Sequence, residues 1–112
     1  MVTIEIKNLR NERPTEPYQV RIDRGHSILS NPYYMHSEEE RDAVCNKYKD
    51  YFYQNVHHNY AFTEALRNLY RIAKKYGKLE LFCWCYPKRC HGETIKKFLM
   101  KYLEENKNAT RN

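Results

Sequence analysis

The segment that most constrains the fold is KLELFCWC, residues 78–85. Its apolar residues become nearly continuous after Glu80, which is typical of a strand that is buried on both faces. A helical pattern precedes this strand, and the turn YPKRCHG leads from it into a second helical pattern. A doubly buried strand between helices predicts an α/β fold with a parallel sheet.

Two further strands and three helices complete the predicted fold. Residues 2–8 and 18–22 alternate apolar and polar side chains, as half-buried strands do. Capping patterns and apolar stripes predict helices at residues 37–56, 60–76 and 93–106. Because helices separate the second strand from the third, these two strands are expected to be parallel. The prediction is a small Rossmann-like α/β domain with a short, mostly parallel sheet of about three strands and three helices.

The position of the first strand is open, because its connection to the second strand is too short for a helical crossover. It can be antiparallel to that strand, or it can lie elsewhere in the sheet. The single predicted domain covers residues 1–106, and residues 107–112 are expected to form a flexible tail.

The composition supports a folded domain with anionic partners. Hydrophobic residues make up 41% of the chain, and its eleven tyrosines and four phenylalanines supply the aromatic surface for a core. The formal net charge of +6 favours nucleotides, phosphate esters or nucleic acid as partners. The sequence has neither a long apolar run nor a signal-like start. We therefore expect a cytoplasmic protein with reduced thiols and no membrane partner.

Two polar segments leave the carboxyl edge of the predicted parallel strands, where α/β sheets bind ligands. They are the loop at residues 23–36 and the turn at residues 85–92. The turn leads into a helix and so presents free N–H groups to an anion, while arginines add bidentate contacts. The residues expected to bind the ligand are Arg24, Ser27, Asn31, Arg89 and Gly92.

Three reactive groups lie at the end of the same turn. Cys90 precedes a helix and follows two cationic residues, a setting that should lower the pKa of its thiol. His91 can act as base or acid, and Glu93 can act as a general base. Cys90, His91 and Glu93 are the candidate catalytic residues, whereas Cys83 and Cys45 are expected to pack as small apolar side chains. The residues alone leave open whether the protein is an enzyme.

A metal site is the weaker alternative for this segment. The candidate zinc ligands are Cys83, Cys85, Cys90 and His91. Their spacing, C-x-C-x4-C-H, differs from the two separated ligand pairs of most structural zinc sites, so one compact cage is geometrically awkward. We therefore expect no cofactor.

Two blocks of the sequence carry a resemblance to a known family. The first block consists of Arg24, Ser27, Asn31, Pro32 and Tyr33. The second, which begins at Cys83, reads Cys-Trp-Cys-x-Pro-x-x-Cys-His-Gly-Glu. Together they resemble a family of short bacterial and phage proteins of unknown function, with the departure that Ser30 stands where the family has glycine. The resemblance implies a small α/β domain from a bacterium or a phage, and it leaves the activity open.

The sequence thus predicts a domain that binds a nucleotide or another phosphorylated ligand between the loop at 23–36 and the turn at 85–93. An enzymatic action on that ligand is left open. One alternative is a non-catalytic module that binds nucleic acid or a protein, and the other is a metal-stabilised Cys/His module. The sequence identifies neither the ligand nor the oligomeric state.

Overall fold

Three parallel strands form the sheet. The computed structural model describes residues 1–110, with side chains through Glu105. The strands are β1 (Thr3–Asn8), β2 (Gln19–Arg21) and β3 (Lys78–Cys83), and β3 lies between the other two. Both neighbours are parallel to β3. The predicted α/β class and the parallel pairing of the second and third strands are confirmed.

The central strand β3 is buried on both faces over its second half. Leu81 and Phe82 are adjacent, so their side chains point to opposite faces, and both are fully buried. Leu81 and Cys83 belong to the main hydrophobic core. The nearly continuous apolar run therefore forms a strand that is buried on both faces, as the sequence predicted.

The first strand lies at the edge of the sheet away from β2. β1 pairs with β3 in parallel, so an antiparallel pair of the first two strands is wrong, and the other alternative is correct. The connection at residues 9–18 contains no helix. Ten extended residues reach up to about 33–36 Å, which is enough to return the chain to the start of β2 on the far side of β3.

Three helices pack with the sheet: α1 (Arg41–His58), α2 (Tyr60–Tyr76) and α3 (Gly92–Thr110). α2 contacts β3, α3 contacts β1, and α1 packs on α2. The side chain of Asn59 caps α2 by accepting a hydrogen bond from the N–H of Phe62. Gly77 follows the last turn with a φ of 75°, the left-handed conformation that favours glycine. Both ends of α2 therefore agree with the prediction.

The first helix begins later than predicted, because the capping box at Ser37 and Glu40 does not form. Ser37 precedes a single 3-10 turn at Glu38–Glu40 and makes no side-chain capping bond. Glu40 instead accepts a hydrogen bond from the backbone N–H of His36, at 2.7 Å. α1 consequently begins at Arg41, which brings this arginine to the sheet edge.

The last helix extends beyond its predicted end. α3 reaches Thr110 and so includes part of the segment 107–112 for which a flexible tail was expected. Residues 111–112 lie outside the described part of the chain. Within residues 1–110, no helix combines the length and the apolar character needed to cross a membrane.

Candidate functional site

The carboxyl edge of the sheet opens into a cleft of about 240 Å3. Its walls come from the loop after β2, the start of α1 and the turn that connects β3 to α3. The strands end here because the chain turns away after Arg21 and after Cys83. Parallel α/β sheets bind their ligands at this edge.

The cleft brings together five of the eight predicted site residues. Those that line it are Arg24, Asn31, Arg89, Cys90 and His91. The other three, Ser27, Gly92 and Glu93, are not among its lining residues. Ser27 is exposed on its loop, and Glu93 lines a different depression with Lys49 and Lys97.

The charge of the cleft is predominantly positive. Its lining arginines are Arg24, Arg41 and Arg89. Asp23 is the only carboxylate among the described lining residues. It accepts hydrogen bonds from Arg21 Nη2 at 2.6 Å and from Trp84 Nε1 at 2.7 Å. Arg21, and to a lesser extent Trp84, lower the pKa of Asp23. The negative charge of Asp23 is therefore already balanced by the positive charge of Arg21.

Arg24 lies on the open side of the cleft, stacked on an aromatic ring. Its guanidinium carbon is 3.8 Å from the centre of the Tyr34 ring. Arg24 is exposed, and within the described residues it forms no ion pair with a carboxylate. The face of the guanidinium is thus covered by Tyr34 while its donors remain available.

The cationic side chains of the turn are paired with the start of α1. Arg89 Nη1 donates to Asp42 Oδ1 at 3.1 Å, and Arg89 Nη2 donates to Asn46 Oδ1 at 2.9 Å. Lys88 Nζ lies 3.2 Å from Glu38 Oε1. Both cationic groups therefore have protein partners, and of the two only Arg89 lines the cleft.

Arg41 is a cleft residue that the sequence did not identify. Only 14% of its side chain is exposed, and its Nη1 donates to the backbone oxygen of Arg89 at 2.9 Å. Glu38, and then the sulfur of Cys85, raise the pKa of Arg41. In the sequence Arg41 follows three glutamates, where an arginine is typical of a solvated ion pair. No pattern indicated that this side chain turns towards the sheet.

His91 is a buried, neutral histidine beneath the cleft. Its Nε2 donates to the backbone oxygen of Ile22 at 2.7 Å, which leaves Nδ1 unprotonated in the neutral ring. The ring of Tyr48 packs edge-on against it, with ring centres 4.9 Å apart. Burial lowers the pKa of His91 below its ordinary value. The ring therefore has one unprotonated nitrogen, and the role of His91 as a base stays a prediction.

Cys83 and Cys90 contact each other directly, with their sulfurs 3.3 Å apart. The hydrogen bond from Cys90, followed by the N–H groups of Tyr86 and Cys85, lowers the pKa of Cys83 to about 6. The same hydrogen bond, together with burial, raises the pKa of Cys90. The sequence assigned the lowered pKa to Cys90 and a packing role to Cys83. The predicted packing of Cys83 is confirmed, since its side chain is buried in the core, whereas the lowered pKa belongs to Cys83 and not to Cys90.

The start of α3 is held by Gly92 and Glu93. A Cβ atom on Gly92 would lie 2.7 Å from Cδ1 of Ile22, so a larger residue at this position requires the end of the Ile22 side chain to shift. The N–H of Gly92 is directed at the sulfur of Cys90, and Glu93 Oε2 accepts from the N–H of Cys90 at 3.4 Å. These N–H groups, predicted to bind an anionic ligand, are therefore already engaged by the protein.

One family model matches residues 5–101 of the chain, and its description reads "Domain of unknown function (DUF4326)". The chain belongs to this family. The matched range includes most of β1, all of β2, β3, α1 and α2, and both sequence blocks, and thus every residue that lines the cleft. Comparison with curated proteins and with solved structures gave no match. The resemblance to a family of unknown function is confirmed.

The candidate zinc ligands of this DUF4326 domain have other contacts in the structure. Within the part of the chain that the structure describes, no group of three or more His, Cys, Asp or Glu side chains is arranged to hold a metal. Cys83 and Cys90 face each other, whereas Nε2 of His91 is used by Ile22. Zinc at these residues stays a prediction that elemental analysis of the purified protein tests.

Proposed function

We propose that the cleft binds a nucleotide or another phosphorylated small molecule. The observation that carries the proposal is the charge of the lining residues, which comprise three arginines and one aspartate. That aspartate is already bonded to Arg21 and Trp84, so it does not repel an incoming anion strongly. An anion in the cleft gains charge-assisted hydrogen bonds, which are stronger than those between neutral groups.

Arg24 is the residue best suited to bind the phosphate. Its guanidinium is exposed and stacked on Tyr34, whereas Arg41 and Arg89 already donate to groups of the protein. A planar fork of donors fits two phosphate oxygens at once. Arg41 and Arg89 then contribute positive potential from the cleft wall.

The aromatic rim of the cleft suits the base of a nucleotide. Tyr34 is 66% exposed and Trp84 is 50% exposed, although both line the cleft. Exposed rings offer flat apolar faces to a base, and each stacked base contributes on the order of 1–3 kcal/mol. Asn31, which also lines the cleft, supplies an amide for the sugar or the base.

Chemistry on the bound molecule would depend on His91, because it is neutral and has one unprotonated ring nitrogen. Cys90 is 4% exposed and its pKa is raised, which makes its thiol a poor nucleophile towards a ligand bound in the cleft. The proposal therefore assigns binding to the cleft and keeps a proton-transfer role for His91 as its catalytic extension. It also assigns the protein to the cytoplasm of a bacterium or of a phage host, where nucleotides are abundant and thiols stay reduced.

The test is calorimetric titration of the purified protein with ATP, AMP, NAD and inorganic phosphate. Arg24→Gln removes the positive charge and the planar pair of guanidinium donors. We expect the affinity for the best ligand to fall at least tenfold, because a hydrogen bond to a charged group contributes about 1.5–3 kcal/mol. Arg71→Gln is the matched control, because Arg71 pairs with Glu64 on α2 and is not a lining residue. Absence of binding by the parent protein, or equal affinities for it and the Arg24 variant, would contradict the proposal.

A single-stranded nucleic acid is the second candidate ligand. The net charge of +6 and the exposed ring of Tyr86, 46% accessible beside the cleft, favour it. Successive bases would stack on Trp84 and Tyr86 while the phosphates follow the basic surface. This ligand differs from a mononucleotide in the length of its footprint.

A further inference from the structure

Cys83 and Cys90 form an isolated pair of thiols at the floor of the cleft. One ends β3, and the other precedes α3, so the turn between them brings both sulfurs to the same point. Their sulfurs are 3.3 Å apart, and each side chain is at most 4% exposed. Both nevertheless line the cleft, which gives a small molecule a route to them.

We propose that Cys83 and Cys90 are an oxidation site, at which a peroxide that enters the cleft converts the two thiols into a reversible disulfide. A disulfide bond is about 2.05 Å long, so the sulfurs need to approach by only a little more than 1 Å. The six intervening residues, 84–89, form a turn rather than a rigid helix or strand, and this turn can accommodate the movement.

The surroundings of the two sulfurs assign a different role to each. The sulfur of Cys83 contacts that of Cys90 and accepts hydrogen bonds from the N–H groups of Cys85 and Tyr86. These two donors favour the thiolate, the reactive form of cysteine, at Cys83 rather than at Cys90. Cys90 holds the remaining proton, because burial and the adjacent Cys83 raise its pKa.

The reaction takes two steps with hydrogen peroxide as the oxidant. The Cys83 thiolate attacks one peroxide oxygen, the O–O bond breaks, and the leaving hydroxide takes a proton to become water, which leaves a sulfenic acid on Cys83. The sulfur of Cys90 then attacks the sulfur of Cys83, and the S–O bond breaks. The departing hydroxide takes the proton of Cys90 and leaves as the second water. Two electrons pass from the two thiols to the peroxide, and a cellular dithiol returns them by exchange.

The other two cysteines are the natural controls. Cys85 is partly exposed and also lines the cleft, and Cys45 is buried with its sulfur 3.8 Å from the backbone oxygen of Arg89. Neither is in sulfur–sulfur contact among the described residues, whereas Cys83 and Cys90 are. Geometry thus selects one pair from the four thiols.

The experiment treats the full chain with stoichiometric hydrogen peroxide, blocks free thiols with N-ethylmaleimide under denaturing conditions, and maps the peptides without reduction. Trypsin cleaves after Lys88 and Arg89, which separates residues 79–88, with Cys83 and Cys85, from residues 90–96, with Cys90. Cys45 falls in a third peptide, residues 42–47. We expect the first two peptides to be joined and two of the four thiols to be protected from the reagent.

Variants distinguish the partner of Cys90. Cys85→Ser and Cys45→Ser should retain the joined peptides, while Cys83→Ser should lose them, and a dithiol reductant should release them in the parent protein. A link that disappears in Cys85→Ser, a link to Cys45, or four reactive thiols after oxidation would each overturn the proposal. In the parent protein, fragmentation of the joined peptides shows whether the maleimide is on Cys85 or on Cys83, so the test does not depend on the folding of any variant.

Discussion

At the scale of single residues, His91 links the stability of the fold to pH. The folded protein holds its ring neutral through burial, which outweighs the opposing effect of the hydrogen bond to Ile22, so the pKa of His91 in the folded state lies below that in the unfolded chain. The unfolded state then binds more protons as the pH falls through about 6.5, the ordinary histidine value. Stability is therefore fully present above that pH and is lost as the pH falls below it. Burial lowers the pKa of His26 as well, which adds to the effect in the same direction.

We predict that the free energy of unfolding decreases between about pH 7 and pH 5, by at most about 1.4 kcal/mol per pH unit for each histidine that stays neutral in the fold. His91→Gln keeps a side-chain donor for Ile22 and should reduce the slope. His57→Gln, at an exposed position in the last turn of α1, is the matched control and should keep the slope. Urea denaturation at several pH values measures it, and identical slopes in the parent and His91→Gln would exclude this role.

Part of the site could be predicted by combining residue types with the expected topology of the sheet. Arg24, Asn31 and His91 were identified because the loop after β2 and the turn after β3 leave the same edge of a parallel sheet. Arg41 was missed because its orientation depends on where α1 begins. The lowered pKa was assigned to Cys90 rather than to Cys83 because the spacing does not show that the N–H groups of Cys85 and Tyr86 donate to the sulfur of Cys83.

At the scale of elements, the capping residues of the helices contribute unequally. Asn59 accepts a hydrogen bond from the N–H of Phe62 and donates to Asn55 Oδ1, so it holds the junction between α1 and α2. Ser37 precedes the 3-10 turn without a side-chain bond. The two residue types are both good N-caps in general, but only one makes the contact here.

We predict that Asn59→Ala lowers the free energy of unfolding by about 1 kcal/mol, within the range of about 0.5–2 kcal/mol for the loss of an N-cap. Ser37→Ala should change it by less than about 0.5 kcal/mol, as is usual for surface substitutions. Chemical denaturation followed by circular dichroism compares the two. Equal losses would show that the cap at Asn59 does not stabilise α2.

An element could be predicted where the pattern within its own segment was sufficient to identify it. The apolar stripe and Gly77 define α2, and the apolar run defines β3. The place of β1 in the sheet could not be predicted, because the alternation of residues 2–8 is equally compatible with either edge and either direction. Its hydrogen-bond partner is set by residues 9–18, which reach across the sheet without a regular pattern.

At the scale of the whole molecule, binding in the cleft and binding along the basic surface differ in how strongly the affinity depends on salt. The three arginines of the cleft neutralise at most about three phosphates of a bound ligand. The wider basic surface neutralises more phosphates when a long strand binds along it. The slope of log affinity against log salt concentration is about −0.7 per phosphate for single strands. Three phosphates thus give about −2.

We predict that an oligothymidylate binds with a slope near −2 between about 50 and 200 mM salt, and that a mononucleotide displaces it completely. Fluorescence anisotropy of an end-labelled strand measures both quantities, and Arg24→Gln should weaken the strand and the mononucleotide equally. A slope steeper than about −4, with incomplete displacement, would favour the nucleic-acid module over the small-molecule site.

Trp84 makes binding in the cleft detectable through the fluorescence of its indole ring. It is the one tryptophan of the chain, half of its surface is exposed, and its indole N–H donates to Asp23 inside the cleft. The indole emission of the whole protein therefore originates at this single wall. A molecule that covers the ring or draws Asp23 away alters the emission without any background from other tryptophans, so the unlabelled protein reports the occupancy of its own cleft.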